Sequence, residues 1–102
     1  MDHSDYLYVL RPTRPEMISD GMTETEQNTV AAHVEHLQGL AESGVVRIAG
    51  RTLDTGKQTF ELVVFMAASE TEAQKLVDED PAVRERVMTA ELFSFRVAVD
   101  RS

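Results

Sequence analysis

The chain is organised around residues 23–44, TETEQNTVAAHVEHLQGLAESG. Thr23 and Glu26 have the spacing of a capping box, in which each side chain accepts a hydrogen bond from the backbone N–H of the other residue. Apolar residues then recur with the period of a helix, and one stripe holds Val30, Val34, Leu37, Leu40 and Ala41. Gly44 suits the left-handed position that ends many helices. The stretch therefore predicts one long helix.

His33 falls inside that apolar stripe, between the directions of Leu37 and Leu40. A histidine in a core is usually a polar side chain whose hydrogen bonds are satisfied. An imidazole can also accept or give up a proton near neutral pH. The helix alone leaves both interpretations of His33 open.

Four strands are predicted from apolar runs that are bounded by turn residues. They span residues 5–11, 45–50, 60–67 and 91–99. Pro12 ends the first strand and opens a predicted loop that extends to residue 22. The second and third strands are expected to form a hairpin, with Asp54, Thr55 and Gly56 as its turn. The third run is apolar almost throughout, which favours a central strand covered on both faces.

Two more helices are predicted between the third and fourth strands. Ser69 and Glu72 have the spacing of a second capping box, which places a helix start there. Asp80 is suited to cap a short helix over residues 82–88, AVRERVM, and Pro81 suits its first position. An N-cap aspartate needs no functional explanation. A carboxylate beside a histidine would also orient it, but spacing cannot show that Asp80 reaches His33.

The predicted order is strand, helix, strand, strand, helix, strand. This is the α+β ferredoxin-like pattern, βαββαβ, with a four-stranded antiparallel sheet and its helices on one face. The 102 residues are expected to form a single domain, 1–102. Because the strands are apolar on both faces, the face without helices needs a cover. A second copy of the chain is the simplest cover, which predicts a homodimer.

The charge and composition exclude several kinds of partner. The net charge is −8, with 18 acidic and 10 basic residues, so nucleic acid is not an expected partner. No apolar run is long enough to span a membrane. There is no cysteine, and the N-terminus lacks the pattern of a secretory signal, so we expect a cytoplasmic protein.

No metal or cofactor is expected. His33 and His36 are three residues apart on the predicted helix and could face one metal ion, but no third ligand follows at a recognisable spacing. No glycine-rich phosphate or dinucleotide loop is present. Arg11 and Arg14 flank the first loop; they are either solvated charges or contacts for an anionic substrate group, which a guanidinium can hold bidentately.

With these features the chain resembles the YciI-like family (YCII-related domain) over nearly all of its length. No single feature is specific, and the resemblance depends on their order and spacing. In chain order they are a first strand that ends in LRP, then Arg14-Pro15, the Thr-Glu-x-Glu helix start, His33, His36-Leu37, Leu40, Gly44, Ala49-Gly50, Ser69, Glu72-Ala73, Asp80-Pro81 and the final strand with Phe95.

The resemblance implies a ferredoxin-like fold that dimerises as an α/β barrel. It also implies a pocket in which a histidine and an aspartate form a catalytic dyad, and these correspond to His33 and Asp80. One position departs from the family pattern, since Gly-Pro usually follows the second strand and this chain has Gly50-Arg51. Arg51 would lie near the pocket mouth, where it either adds a cation for an anionic substrate or indicates that the pocket has changed.

The sequence therefore predicts a small-molecule enzyme that transfers protons, with lyase, isomerase or dehydrochlorinase-type chemistry. His33 would be the general base and Asp80 its orienting partner, while Arg11, Arg14 and Arg51 are candidate substrate contacts. The alternative is a dimeric domain with the same pocket that binds a small ligand and catalyses nothing. The residues do not identify the substrate.

Overall fold

The computed structural model describes residues 4–101, in which four strands form one sheet. The elements are β1 (Ser4–Pro12), α1 (Glu16–Ser19), α2 (Glu24–Glu42), β2 (Val46–Arg51), β3 (Glu61–Ala67), α3 (Glu70–Glu79), α4 (Pro81–Arg84) and β4 (Met88–Phe95). The strands are antiparallel and lie in the order β2-β3-β1-β4. The predicted ferredoxin-like α+β fold is thereby confirmed.

The helix α2 begins at the predicted capping box. The Thr23 side chain accepts from the backbone N–H of Glu26, and the Glu26 carboxylate accepts from the backbone N–H of Thr23. The buried face of α2 consists of Thr29, His33 and Leu37. Two residues of the predicted apolar stripe, Val34 and Ala41, are instead exposed. They face an open cavity beside β2, because the helix lies against the sheet along only part of the predicted stripe.

The core lies between the helices and one face of the sheet. Alternate residues of β1 point into it, namely Tyr6, Tyr8 and Leu10, as the period of a strand requires. The rings of Tyr8 and Phe65 meet edge to face, with centroids 5.6 Å apart. This geometry suits aromatic quadrupoles, and burying an aromatic or aliphatic side chain of this size contributes about 1.5–3 kcal/mol. The core therefore fixes the two central strands behind α2.

The predicted loop over residues 12–22 contains the single helical turn α1. Pro15 occupies the N-cap of α1 with φ −56°, which its ring favours. Met17 is buried in the core cluster. The loop prediction missed this turn because proline and glycine mark chain reversals without showing that one apolar side chain between them is anchored.

The C-terminal boundaries also differ from the prediction. Helix α4 stops at Arg84, since Arg86 takes a left-handed conformation with φ 61°. β4 then starts at Met88, opposite Pro12, and ends at Phe95, opposite Asp5. The predicted helix 82–88 was therefore too long, and the predicted strand 91–99 began and ended too late. Its length is set by the length of β1, the strand with which it pairs, and not by its own apolar pattern.

The connection between β2 and β3 is about as long as predicted, but its turn lies at different residues. It covers residues 52–60, and its turn is closed by a hydrogen bond from the backbone N–H of Thr59 to the carbonyl of Gly56. The hydroxyls of Thr52 and Thr59 lie 3.1 Å apart across its base. The turn therefore lies at residues 56–59 and not at the predicted 54–56, because the hydrogen bond that closes it joins Thr59 to Gly56.

The sheet face that carries no helix is mostly apolar, with the Arg11–Glu91 ion pair towards one end. It includes Leu7 and Val9 of β1 and, on the edge strands, Ile48, Phe93 and Phe95, which are 61%, 42% and 39% exposed. We call this surface the open face. A cavity of about 900 Å³ adjoins it beneath residues 96–101. No helix within residues 4–101 is both long and apolar enough to span a bilayer.

Candidate active site

His33 lies at the centre of a buried ionic cluster on the helix side of the sheet. Its side chain is 1% exposed. Its Nδ1 is 2.7 Å from Oδ1 and 2.9 Å from Oδ2 of Asp80. On the opposite side of the ring, Nε2 is 2.8 and 2.9 Å from the two carboxylate oxygens of Glu61. The imidazole is therefore held between two carboxylates.

Asp80 is fixed by its place in the chain. It ends α3 and caps α4, and its Oδ1 accepts from the backbone N–H of Ala82 at 2.9 Å. Its Oδ2 accepts from the Tyr8 hydroxyl at 2.6 Å. Burial alone would raise the pKa of Asp80, but hydrogen bonds from His33 and Tyr8 outweigh it and hold that pKa below its ordinary value. Asp80 is therefore an anion that accepts hydrogen bonds from Tyr8, His33 and the backbone of Ala82.

The pKa of Tyr8 moves in the opposite direction. Burial, and then the charge of Asp80, raise it well above the ordinary value for a phenol. Tyr8 is thus a fixed hydrogen-bond donor, and it helps Asp80 to keep a single orientation toward His33.

The two carboxylates keep His33 protonated. Burial would lower the pKa of His33, but hydrogen bonds and charge from Asp80 and Glu61 prevail and raise it to about 9. At neutral pH both ring nitrogens carry hydrogen, so Nδ1 donates to Asp80 and Nε2 donates to Glu61. The resting imidazolium can give up a proton, and it becomes a base only after it has lost one.

A cavity of about 320 Å³ lies between α2 and β2, next to this cluster. This volume suits a ring-sized molecule. Glu61, with a side chain 14% exposed, lies in the cavity wall, whereas His33 and Asp80 do not. The remaining wall is mostly apolar, with two cations, and is formed by Val34, Leu37, Gln38, Ala41, Val46, Arg47, Ile48, Ala49, Gly50 and Arg51.

The three predicted substrate-binding arginines occupy different environments. Arg51 lines the cavity that Glu61 also lines. Arg14 forms a bidentate pair with Glu26 at 2.6 and 2.9 Å, which lowers the pKa of Glu26 to about 2. Arg11 lies 3.9 Å from Glu91 and over the Phe60 ring. Of the three, Arg51 alone borders the cavity beside His33.

Two members of the cluster, Tyr8 and Glu61, were not identified from the sequence. Each had a local signal. Glu61 shares a strand face with Val63 and Phe65, so it is an acid on an otherwise buried face. Tyr8 shares its face with Leu10, and a buried tyrosine hydroxyl usually has a hydrogen-bond partner. Period-two alternation could therefore have placed both side chains on the buried face of the sheet, although not opposite His33 in particular.

The second histidine, His36, does not join the cluster. Its Nε2 is buried and has no hydrogen-bond partner within the described chain. Across residues 4–101, no three His, Cys, Asp or Glu side chains are arranged to hold a metal ion. Both ring nitrogens of His33 are engaged by carboxylates, as a hydrogen-bonded imidazolium requires.

The sequence profile of the YCII-related domain matches residues 6–96. No curated protein has a sequence that matches this chain significantly. Among solved structures, the chain is similar to 5-chloro-2-hydroxyhydroquinone dehydrochlorinase from Burkholderia phenoliruptrix AC1100, in complex with 2,5-dihydroxybenzoquinone. The TM-score is 0.63 at 19% identity, over 89% of this chain and 93% of that one.

The fold also occurs in more distant proteins. A cofactor-independent oxygenase, SnoaB from Streptomyces nogalater, matches with a TM-score of 0.51 at 7% identity, over 99% of this chain and 98% of that one. The designed protein Foldit4 matches with a TM-score of 0.53 at 11% identity, over 94% and 99%. Since a designed protein shares it, the fold by itself carries no particular chemistry.

Proposed function

The chain belongs to the YCII-related domain family, and from this premise we propose that it is a cytoplasmic, homodimeric small-molecule enzyme that transfers protons at the His33–Asp80 pair. The observation that carries the proposal is the His33 imidazole, held 2.7 Å from Asp80 with its other nitrogen directed at a carboxylate in a cavity wall. A base or acid oriented by a buried carboxylate is a recurrent arrangement in proton-transfer enzymes.

His33 is proposed to act first as an acid and then as a base within one reaction. The sequence suggested His33 as the general base. Its raised pKa makes the resting form the acid, because the imidazolium predominates at neutral pH. His33 then accepts a proton on the return step, after Nε2 has given one up. Asp80 stabilises the charged ring and fixes Nδ1 as a donor in both steps.

The substrate is proposed to be a small molecule with an aromatic or other apolar body and an anionic group. The apolar cavity wall favours such a body, and Arg51 favours the anion. Arg11 and Arg14 remain candidate contacts, although each already faces an acidic side chain. Lyase, isomerase or dehydrochlorinase-type reactions fit, since each needs one proton moved and no redox partner.

A screen of metabolites by thermal shift tests this function. A ligand present at about 100 times its Kd stabilises the native state by about 2.7 kcal/mol, which raises Tm by on the order of 10 °C. Each stabilising compound is then assayed for turnover. His33→Gln is expected to lower turnover strongly, while Glu35→Gln, a nearby exposed change on the same helix outside the cavity wall, keeps it. Full turnover by His33→Gln contradicts the proposal.

The alternative is a non-catalytic ligand-binding or accessory domain. The near-complete enclosure of His33 favours it, because a buried histidine paired with two carboxylates is also a stable structural unit. Under this alternative, His33→Gln changes stability or ligand affinity, and no stabilising compound is converted.

The homodimer is proposed to form through the open face. A contiguous apolar sheet surface with exposed Ile48, Phe93 and Phe95 is typical of a protein interface, and a two-fold axis lets the same surface cover itself.

Phe93→Glu is expected to convert a dimer into a monomer at micromolar concentration. The substitution places two carboxylates in the apolar interface, where burying charge without a partner is costly. Sedimentation velocity measures the mass. Ala31→Glu adds the same charge on the exposed side of α2 and should leave the dimer intact. A wild-type protein that sediments as a monomer contradicts this proposal.

A further inference from the structure

We propose that Glu61 is the group that takes the proton from the substrate, and that His33 and Asp80 are positioning residues that act through it. This inference rests on the proposed function and refines it: Glu61 exchanges the proton with the substrate, and the His33–Asp80 pair holds Glu61 in place without meeting the substrate itself. It concerns which side chain a molecule in the cavity meets.

Access is the first argument. The hydrogen-bonded series runs from Tyr8 through Asp80 and His33 to Glu61. His33 and Asp80 are enclosed, and neither lines the cavity between α2 and β2. Glu61 both contacts His33 and lines that cavity. A molecule in the cavity therefore touches the Glu61 carboxylate and not the imidazole behind it.

Lone-pair availability is the second argument. In its protonated state the ring of His33 has no free lone pair on either nitrogen. The carboxylate of Glu61 has two oxygens with about four acceptor positions, and the His33 N–H uses only part of this capacity. Glu61 can thus accept a proton from the substrate while it still receives the hydrogen bond from His33.

The step balances without a further reagent. The X–H bond of the substrate breaks, an O–H bond forms on Glu61, and the electron pair stays on the substrate. The resulting anion lies in a cavity whose wall also carries Arg51. The proton on Glu61 then returns to a different atom of the same molecule, or it leaves to water when the anion expels a leaving group.

The cavity limits the substrate class. Its volume of about 320 Å³ admits one ring-sized body, which the apolar side chains of Val34, Leu37 and Ala49 would contact. Arg51 favours a substrate whose charge develops at an oxygen after the proton leaves. The site therefore fits a ring-sized carbon or oxygen acid that forms an oxyanion.

The probe for this base is 5-nitrobenzisoxazole, a ring-sized carbon acid. A base removes its ring C–H, the electron pair forms the nitrile, and the N–O bond breaks to give a coloured nitrophenolate. The reaction needs only a base in an apolar cavity, so it can be followed by absorbance before the natural substrate is known. We expect saturable acceleration by the wild-type homodimer.

Glu61→Gln keeps the shape and the acceptor oxygen for His33 but removes the base. We expect it to lower kcat/KM by about a hundredfold or more, the range that a positioned base contributes. Glu35→Gln, an exposed change on α2, is the matched control and should keep the full rate. Glu61→Asp keeps a carboxylate but sets it back by one methylene, so it should recover part of the rate. Recovery in this variant would show that the loss in Glu61→Gln comes from the missing base and not from misfolding.

His33→Gln distinguishes a positioning role from a purely structural one. We expect kcat to fall while KM for the probe stays close to the wild-type value, because the Glu61 carboxylate remains in the cavity wall but the His33 N–H no longer holds it in one orientation. A merely structural role would reduce the amount of folded protein and leave kcat per folded molecule unchanged.

Three results would overturn the assignment. If Glu61→Gln keeps the wild-type rate while His33→Gln loses it, His33 meets the substrate directly and the proposed function stands without Glu61. If neither change alters the rate, the base lies elsewhere. If the wild-type protein does not accelerate the reaction, no competent base faces the cavity, and the metabolite screen alone then decides the proposed function.

Discussion

Asp80→Ala is expected to destabilise the protein by about 3–5 kcal/mol, the cost of removing one partner from a buried ion pair. The change leaves the Tyr8 hydroxyl without its acceptor and the His33 ring with Glu61 alone. It also removes the cap on the Ala82 N–H. Since the free energy of unfolding of a native domain is only about 5–15 kcal/mol, this single change removes a large part of the stability.

Urea denaturation at pH 7 measures the effect. Asp78→Ala is the matched control, because Asp78 is an exposed aspartate of the same helix whose carboxylate accepts a hydrogen bond from Gln74 at 3.0 Å. It should change the free energy of unfolding by no more than about 0.5 kcal/mol. Equal stability of the two variants would show that the buried cluster contributes nothing net.

Two further substitutions separate the charge of Asp80 from the hydrogen bond that it accepts from Tyr8. Asp80→Asn keeps a capping oxygen for Ala82 but removes the charge, so it should lie between wild type and Asp80→Ala. Tyr8→Phe should be much less harmful in the Asp80→Ala background than alone, because the hydroxyl has already lost its acceptor. Additive effects of Tyr8→Phe and Asp80→Ala would contradict the hydrogen bond between them.

The sequence predicted those parts of the fold that depend on neighbouring residues. The capping box at Thr23 and the cap at Asp80 are local patterns, and both are confirmed. The ends of β4 are not local, because they are set by which residues of β1 stand opposite. An apolar run such as residues 91–99 contains no information about the length of its partner strand.

The candidate site also divides into residues that local sequence patterns could identify and residues that only tertiary contacts reveal. His33 was identifiable because it interrupts an apolar stripe, and Asp80 was assigned only through the family resemblance. Glu61 and Tyr8 were missed because their contacts join residues 28 and 72 positions apart. Periodicity states which face a side chain occupies, but it does not state which side chain of another element lies opposite. The ionic cluster is a product of tertiary packing.

The stability of the protein is expected to fall by about 3 kcal/mol between pH 6 and pH 9 through His33 alone. The pKa of His33 is about 9 in the folded protein and about 6.5 in an unfolded chain. A group whose pKa is raised by folding stabilises the native state fully below its unfolded pKa, and that contribution is lost as the pH rises through the folded pKa. Burial of the ring makes solvent screening small.

The charged groups around the ring determine the window for this measurement. Asp80, with its lowered pKa, contributes stability that is present above about pH 4 and is lost only in acid. Tyr8, with its raised pKa, adds a second loss above about pH 10, where an unfolded tyrosine ionises. Between pH 6 and 9 neither Asp80 nor Tyr8 changes its contribution to stability. Within the buried cluster, the fall of the free energy of unfolding over this range is therefore assigned to His33.

Urea denaturation of wild type and His33→Gln across this range isolates the titration. The glutamine variant is less stable at pH 6, where wild type has the imidazolium between two carboxylates. We expect the difference between the two proteins to shrink as the pH rises, because wild type loses the contribution that the variant never had. A difference that stays constant from pH 6 to 9 would mean that His33 does not titrate there, and the imidazole would then be neutral in the resting protein. In that case His33 itself would be available as the base, and the proton would not need to pass through Glu61.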